Sequence, residues 1–236
     1  MKLMSFTKNG ITGFGAINGD SVMDFSHKFK DLKTMLASGS TLKEGNLIPL
    51  VEVNYLPVIP NPEKIICVGV NYASHIAEMG REPGEFPLLF TRFANSQVGH
   101  NEPMLVPKES EKFDYEGELA LIIGKSGKRI SENNAMNYIA GYSCYNDGSV
   151  RDWQRHTSQF TAGKNFTGTG GFGPWMVSSD EINDPSELQI ETRLNGTVMQ
   201  SAPISDLVFN VPKLIAYIST FTELEPGDVI ITGTTG

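Results

Sequence analysis

"KFDYEGELALIIG", Lys112 to Gly124, is the stretch on which the fold turns. Tyr115, Gly117, Leu119, Leu121 and Ile123 alternate with Glu116, Glu118, Ala120 and Ile122, the two-residue period of a β-strand. Beyond Glu118 both faces are apolar, which predicts a buried strand. Such a strand should not open with two charges on one face unless something offsets them. Period two sets the two backbone positions about 6.6 Å apart, so both carboxylates can converge on one point. Like charges in a partly buried place repel and are poorly solvated, and a divalent cation relieves both problems. A bare Glu-x-Glu is more often an exposed charged patch. A third carboxylate shifts that balance. Asp147 closes another strand-like run, "GYSCYND", and a strand end is where a side chain can project into a cleft. Three carboxylates with no His/Cys cluster beside them form a hard, all-oxygen donor set. It suits Mg²⁺ or Mn²⁺, with Ca²⁺ as a further candidate, and does not suit structural zinc.

Outward from this strand the chain divides near residue 60. Residues 1–60 read as a small β-rich module. Its short strands are punctuated by Asn9-Gly10 and Asn18-Gly19-Asp20, both hairpin signals. "DLKTMLASG" reads as a short helix stopping at Gly39. The proline-rich "LPVIPNPEK" reads as a linker. Residues 61–236 open with the β-branched run "KIICVGV", and a short helix is expected from Asn71, a good N-cap. "SENNAMNYIAG" is helix-like, and residues 161–174 read as a long Gly- and Thr-rich loop. "LQIETRLNGTVMQ" is a strand, turn and strand, and "VPKLIAYISTFTEL" is the clearest helix. "EPGDVIITGT" is a turn and a last strand. An apolar strand reaching Gly236 with nothing after it would leave ladder groups unpaired, so further C-terminal strands are expected to be missing from this chain.

With 236 residues the chain can bury a sizeable core, and 24 glycines suit a β-rich fold with tight turns. A formal charge of -8 with no basic run argues against nucleic acid and anionic membrane surfaces. No stretch approaches the roughly 20 apolar residues of a membrane span, and the opening residues hold no leader-like apolar run. Cys67 and Cys144 both sit in apolar runs and read as buried free thiols. Together these features point to a cytoplasmic protein.

Two further constellations could carry chemistry. In "VNYASHIAEMG", His75 and Glu78 share a helix face; a carboxylate on one imidazole nitrogen fixes the tautomer and raises the basicity of the other. The same pair on a surface helix would simply be solvated. In "NDGSVRDWQRHTSQFTAGKNF", Lys164 follows Gly163, where backbone and ligand can approach closely. It could neutralise an anion or support an enolate, or be an ordinary loop lysine. Gln154 could orient substrate or water, Arg151 could pair with Asp152, and His156 reads as a surface or supporting residue.

In order, "NYASHIAE", "DYEGELALIIG", "YNDGSVRDWQ", "GKNF" with "GFGPW", and "LEPGDVIITGT" resemble the fumarylacetoacetate hydrolase family, from about Lys64 to the end. The resemblance implies a mostly β fold with some α, a mixed β-roll or sandwich behind the N-terminal module, in a homodimer. It implies that Glu116, Glu118 and Asp147 bind the metal and that His75 and Glu78 form the catalytic dyad. By the same resemblance Lys164 is the third catalytic group, and Gln154 and Thr234 contact substrate. The implied activity is that of a metal-dependent hydrolase of C–C bonds in ketonic substances. Its substrate is a small acylpyruvate or related 2-oxo or 2,4-dioxo acid: His75 activates water, and the departing carbanion is held as a metal-bound enolate. Oxaloacetate decarboxylation or 2-oxo-acid isomerisation on the same site is the first alternative, and a non-catalytic ligand-binding homologue the second. Where family members often carry Asp-Thr-Phe-x-Pro, this chain has "FTGTGGFGP" close to the site, which leaves the substrate open.

Overall fold

A computed structural model describes residues 1–40 and 42–236. One mixed sheet dominates. Its order runs Asn46–Pro49, Ser21–Asp24, Ile11–Asn18, Lys2–Lys8, Met176–Ser178, Ile139–Asp147, Gly117–Ile123, Val229–Thr234, Ile65–Gly69, Leu88–Arg92. Along this path every pairing is antiparallel except that of Val229–Thr234 with Ile65–Gly69. The N-terminal strands join the rest through Leu3 opposite Met176.

The strand Gly117–Ile123 sorts its side chains onto two cores by alternation. Ala120 and Ile122 pack with Cys67, Val229 and Ile231 on one face. Leu119, Leu121 and Ile123 pack with Ile66, Val68 and Ile230 on the other. That second face is covered by the helix Val211–Phe221, which buries Val211, Leu214, Ile215 and Ile218 at helical spacing. The helix starts where expected: the Asn210 side chain accepts from the Lys213 N–H at 3.1 Å, and a proline stands in the first turn.

Several expectations are corrected. The last strand has no open edge: it lies between Gly117–Ile123 and Ile65–Gly69, with Ile230 and Ile231 fully buried. Its ladder groups find partners on both sides, so it is an inner strand of the sheet rather than an edge. Cys144 is exposed, because strand alternation turns it away from the core that Tyr145 enters. Residues 161–174 are not one loop; they contain the short helix Thr161–Lys164 and the strand Gly170–Phe172. Asn71 does not cap the helix Ala73–Glu78. Its side chain bridges three segments, donating to the carbonyls of Phe209 and Thr232 and accepting from the Phe209 N–H.

Leu214 is completely buried under the sheet. Leu214→Ala is expected to lower stability by about 2–5 kcal/mol, the cost of the lost transfer energy plus a cavity. Urea unfolding checks this, with a shifted midpoint and an unchanged slope as the expected signature.

Candidate active site

The site lies where the last strand ends and the Glu118 strand begins, since Glu118 is paired with both Tyr145 and Thr234. A pairing irregularity lies just after Glu118, and Gly233 adopts φ +108 there. A side chain at Gly233 would strain that backbone and would press on Asn71 at 2.9 Å. The twist turns the Gly233 N–H onto Glu118 Oε2 at 2.5 Å. Asp147 is fixed by its own backbone, whose N–H donates to the Glu116 carbonyl at 2.8 Å.

Glu116, Glu118 and Asp147 are all buried, and one carboxylate oxygen from each lies within 4.8 Å of the others. The residues around them show how the charges are balanced. Lys164 Nζ, 1% exposed, donates to Glu116 Oε2 at 2.5 Å and to Asp147 Oδ2 at 2.6 Å. Arg92, wholly buried, reaches Asp147 Oδ1 at 2.6 Å. Arg151 bridges Glu116 Oε1 and Asp114. Glu118 alone has no cationic partner among the described residues. Burial, then repulsion from Asp147 and Glu116, raises its pKa well above the ordinary carboxylate range. Asp147 moves the other way: burial would raise it, but Lys164 and Arg92 beside it win and lower it. Burial also acts against the Lys164 ammonium, and the surrounding carboxylates override it and raise its pKa.

This donor set fits a hard dication. It is all oxygen, the atoms converge, and one of the three carboxylates lacks a compensating charge.

A cleft of about 620 Å³ opens beside the triad and is lined by His75, Gln154, Lys164 and Thr234 as well as by Glu116 and Glu118. The structure thus gathers these six sequence-predicted residues around one space; Asp147, held by Lys164, and the exposed Glu78 are not part of its lining. His75 Nδ1 stands 3.4 Å from Glu78 Oε2, a long contact on the partly exposed helix Ala73–Glu78. Gly236 abuts this pair, since a Cβ there would fall 2.8 Å from His75 Nδ1. Thr234 Oγ1 donates to the Gly117 carbonyl and accepts from Gln200. Lys164 ends a helix, not a loop, and Gly163 is required there: a Cβ would sit 2.4 Å from the Gln154 backbone nitrogen. Arg151 does not pair with Asp152, which accepts from Ser110 instead. His156 is exposed and stacks near Trp153, away from the cleft lining.

Sequence reading missed Arg92, Gln200, Arg81 and Arg155. Arg92 had a signal, a lone cation closing the otherwise apolar "PLLFTR". Arg81 and Arg155 line the cleft, and neither has an acidic partner among the described residues.

The family model described as fumarylacetoacetate (FAA) hydrolase C-terminal matches residues 64–236, and the chain belongs to that family. Oxaloacetate tautomerase fahd2, mitochondrial, of Xenopus laevis is 43% identical over 184 residues, covering 77% of this chain and 58% of that protein. The chain therefore spans somewhat over half the length of that relative. Among solved structures, 5-carboxymethyl-2-hydroxymuconate delta-isomerase from Mycobacterium smegmatis shares a TM-score of 0.85 at 31% identity, covering 99% of this chain and 88% of that one. Maleylpyruvate hydrolase from Sphingobium sp. SYK-6, in complex with manganese(II) and pyruvate, gives 0.81 at 26%, covering 100% and 89%. These relatives are enzymes, named for a tautomerase, an isomerase and a hydrolase. One relative carries a mitochondrial name; in this chain, no helix among the described residues is long and apolar enough to cross a membrane.

The raised Glu118 carboxyl gives a test with a defined sign. A dication must displace its proton, so affinity is expected to rise with pH through the raised Glu118 value, with proton release seen as buffer-dependent heat in calorimetry. In the metal-free protein the folded state binds this proton more tightly than the unfolded state. Its stabilising contribution is full below the unfolded value of about 4.3 and falls as pH rises through the folded value. Glu118→Gln is expected to flatten both dependences.

Proposed function

We propose that this protein is a divalent-metal-dependent enzyme of small 2-oxo acids, and that its central step is proton transfer at the carbon next to the 2-oxo group. The preferred reading is keto–enol tautomerisation of a dicarboxylic 2-oxo acid of the oxaloacetate kind. One observation carries it: the cleft beside the carboxylate triad is also lined by two arginines, Arg81 and Arg155, that have no acidic partner among the described residues. A substrate with a second carboxylate supplies that partner. The name of the 43% identical relative supports the same reading.

Glu116, Glu118 and Asp147 would hold the dication. When bound, it would polarise the 2-oxo group and make the neighbouring C–H more acidic. The chain's own groups do the rest. Glu78 accepts from His75 Nδ1 and leaves Nε2 free as the base. His75 Nε2 takes the proton from carbon, and the imidazolium returns one to oxygen, so no water is consumed. Lys164 adds positive charge where negative charge develops on oxygen. Gln154 and Thr234 orient the acid from the cleft wall.

A second reading, hydrolytic cleavage of acylpyruvates, draws on a different feature. Met79, Phe90, Phe160 and Met199 give the cleft an apolar side that an acyl group would fill. Here His75 would deprotonate a water that attacks the distal carbonyl. The hydrolase at 26% identity, with pyruvate bound, supports this reading.

The two separate in one assay with Mn²⁺: decay of the enol absorbance of oxaloacetate against pyruvate release from acylpyruvates. Accelerated enol decay is the expected result. Pyruvate release without faster tautomerisation would hand first place to hydrolysis. His75→Ala is expected to cut the operative reaction by about 10²–10⁴, and a variant at the parent rate would remove His75 from the role of base. Arg155→Gln is expected to raise KM about tenfold for oxaloacetate, the loss of roughly one charge-assisted hydrogen bond. Its effect on a monocarboxylic 2-oxo acid should be small.

A further inference from the structure

We propose that Arg92, Arg151 and the Gly233 N–H make this centre select Mg²⁺ or Mn²⁺ against Ca²⁺, by tying up one oxygen of each carboxylate. The inference rests on the triad being a cation site.

Each carboxylate is split in the same way. Arg92 Nη1 holds Asp147 Oδ1 at 2.6 Å, and Arg92 is itself locked by Gly148 O at 3.0 Å, Thr169 Oγ1 at 2.8 Å and Ser96 Oγ at 3.2 Å. Arg151 holds Glu116 Oε1, and its Nε is anchored on Asp114 Oδ2 at 2.9 Å. The Gly233 N–H holds Glu118 Oε2. One oxygen per residue then remains. Asp147 Oδ2 and Glu116 Oε2 both meet the Lys164 ammonium, and Glu118 Oε1 makes no hydrogen bond among the described residues. Lys164 therefore marks the spot where positive charge is wanted, bridging two of the three remaining oxygens.

The consequence concerns cation size. Ca²⁺ takes about six to eight oxygens and often draws both oxygens of a carboxylate, whereas Mg²⁺ accepts a near-octahedral shell, one oxygen per ligand. Three carboxylates that each offer a single oxygen serve the smaller ion and starve the larger. At Asp147 a buried donor enforces this, because freeing Oδ1 would leave the Arg92 guanidinium unpaired inside the protein.

Calorimetric titration of the metal-free full chain with MnCl₂ and CaCl₂ tests the proposal through the ratio of the two Kd values. A ratio is the right measure, because removing a positive charge strengthens the attraction for both dications alike. Arg92→Gln and Arg151→Gln are each expected to lower Kd(Ca)/Kd(Mn) about tenfold, the low end of what outer partners of metal ligands contribute. Arg155→Gln removes a charge from the same cleft without freeing a carboxylate oxygen, and its ratio is expected to stay at the parent value. Circular dichroism establishes folding, and if Arg92→Gln fails to fold, the partly exposed Arg151 decides alone. If the parent and Arg151→Gln bind both ions with the same ratio, the selectivity proposal is wrong and the metal site stands. If the ratio falls equally in Arg155→Gln, charge rather than oxygen pinning is the cause, and the proposal is again overturned. If the parent binds neither ion, the reading of the triad as a cation site falls with it.

Discussion

Three carboxylates buried within a few ångströms of one another are the constraint around which this fold is arranged. Carboxylates taken out of water need opposite charge and hydrogen bonds, or they take up protons. The chain answers from four directions. Arg92 comes from the strand Leu88–Arg92, Lys164 from a helix, Arg151 from the segment after Asp147, and a backbone N–H from the last strand. These segments are far apart in sequence, so the cluster can form only once the sheet is complete. Site and fold are thus one cooperative unit, and Glu118, the one member of the triad with no cationic partner among the described residues, is held toward its protonated form by burial and by its two carboxylate neighbours.

Close backbone approach is what lets long cationic side chains reach in. Gly170 lies where a Cβ would meet Arg92 at 2.8 Å, and Gly148 where one would meet the Thr169 carbonyl. Gly163 brings the helix of Lys164 directly against that of Gln154. Each glycine removes a side chain that would push a cation away from its carboxylate. The "FTGTGGFGP" departure from the family's usual pattern serves the same end here, since Thr169 and Gly170 flank the Arg92 guanidinium.

Much of this was legible in the sequence, and the reasons are local. Period-two alternation sets the faces of Gly117–Ile123, and helical spacing fixes Val211–Phe221, because neither depends on distant partners. The carboxylate triad was readable because two of its members share a strand face. The features that escaped depend on tertiary contact. Nothing adjacent to Arg92 says that it will cross to Asp147, fifty-five positions away. Arg151 chose Glu116 and Asp114 over its neighbour Asp152 for the same reason. Asn71 has the residue type of a helix cap but is pulled away to bridge Phe209 and Thr232. The last strand looked like an edge because a sequence displays a strand's neighbours along the chain, not its neighbours in the sheet.

A tautomerase, an isomerase and a hydrolase share this architecture, and the site gives a physical reason. All three reactions need negative charge to develop on a carbonyl oxygen next to a breaking bond to carbon. A preorganised cationic centre stabilises that charge whichever bond breaks. On the proposed reading the difference lies in the bond placed opposite the base, which the cleft wall would decide. In this chain the wall offers both arginines without an acidic partner among the described residues and an apolar side. A substrate gripped at both carboxylates would, on the proposed reading, present a C–H to His75, and one held at a single carboxylate, with an acyl group on Phe160 and Met199, would present a carbonyl and leave room for water. On that reading the buried triad would set the kind of chemistry and the exposed wall would select the reaction, so substitutions in the wall would change one reaction into another without disturbing the buried charge cluster.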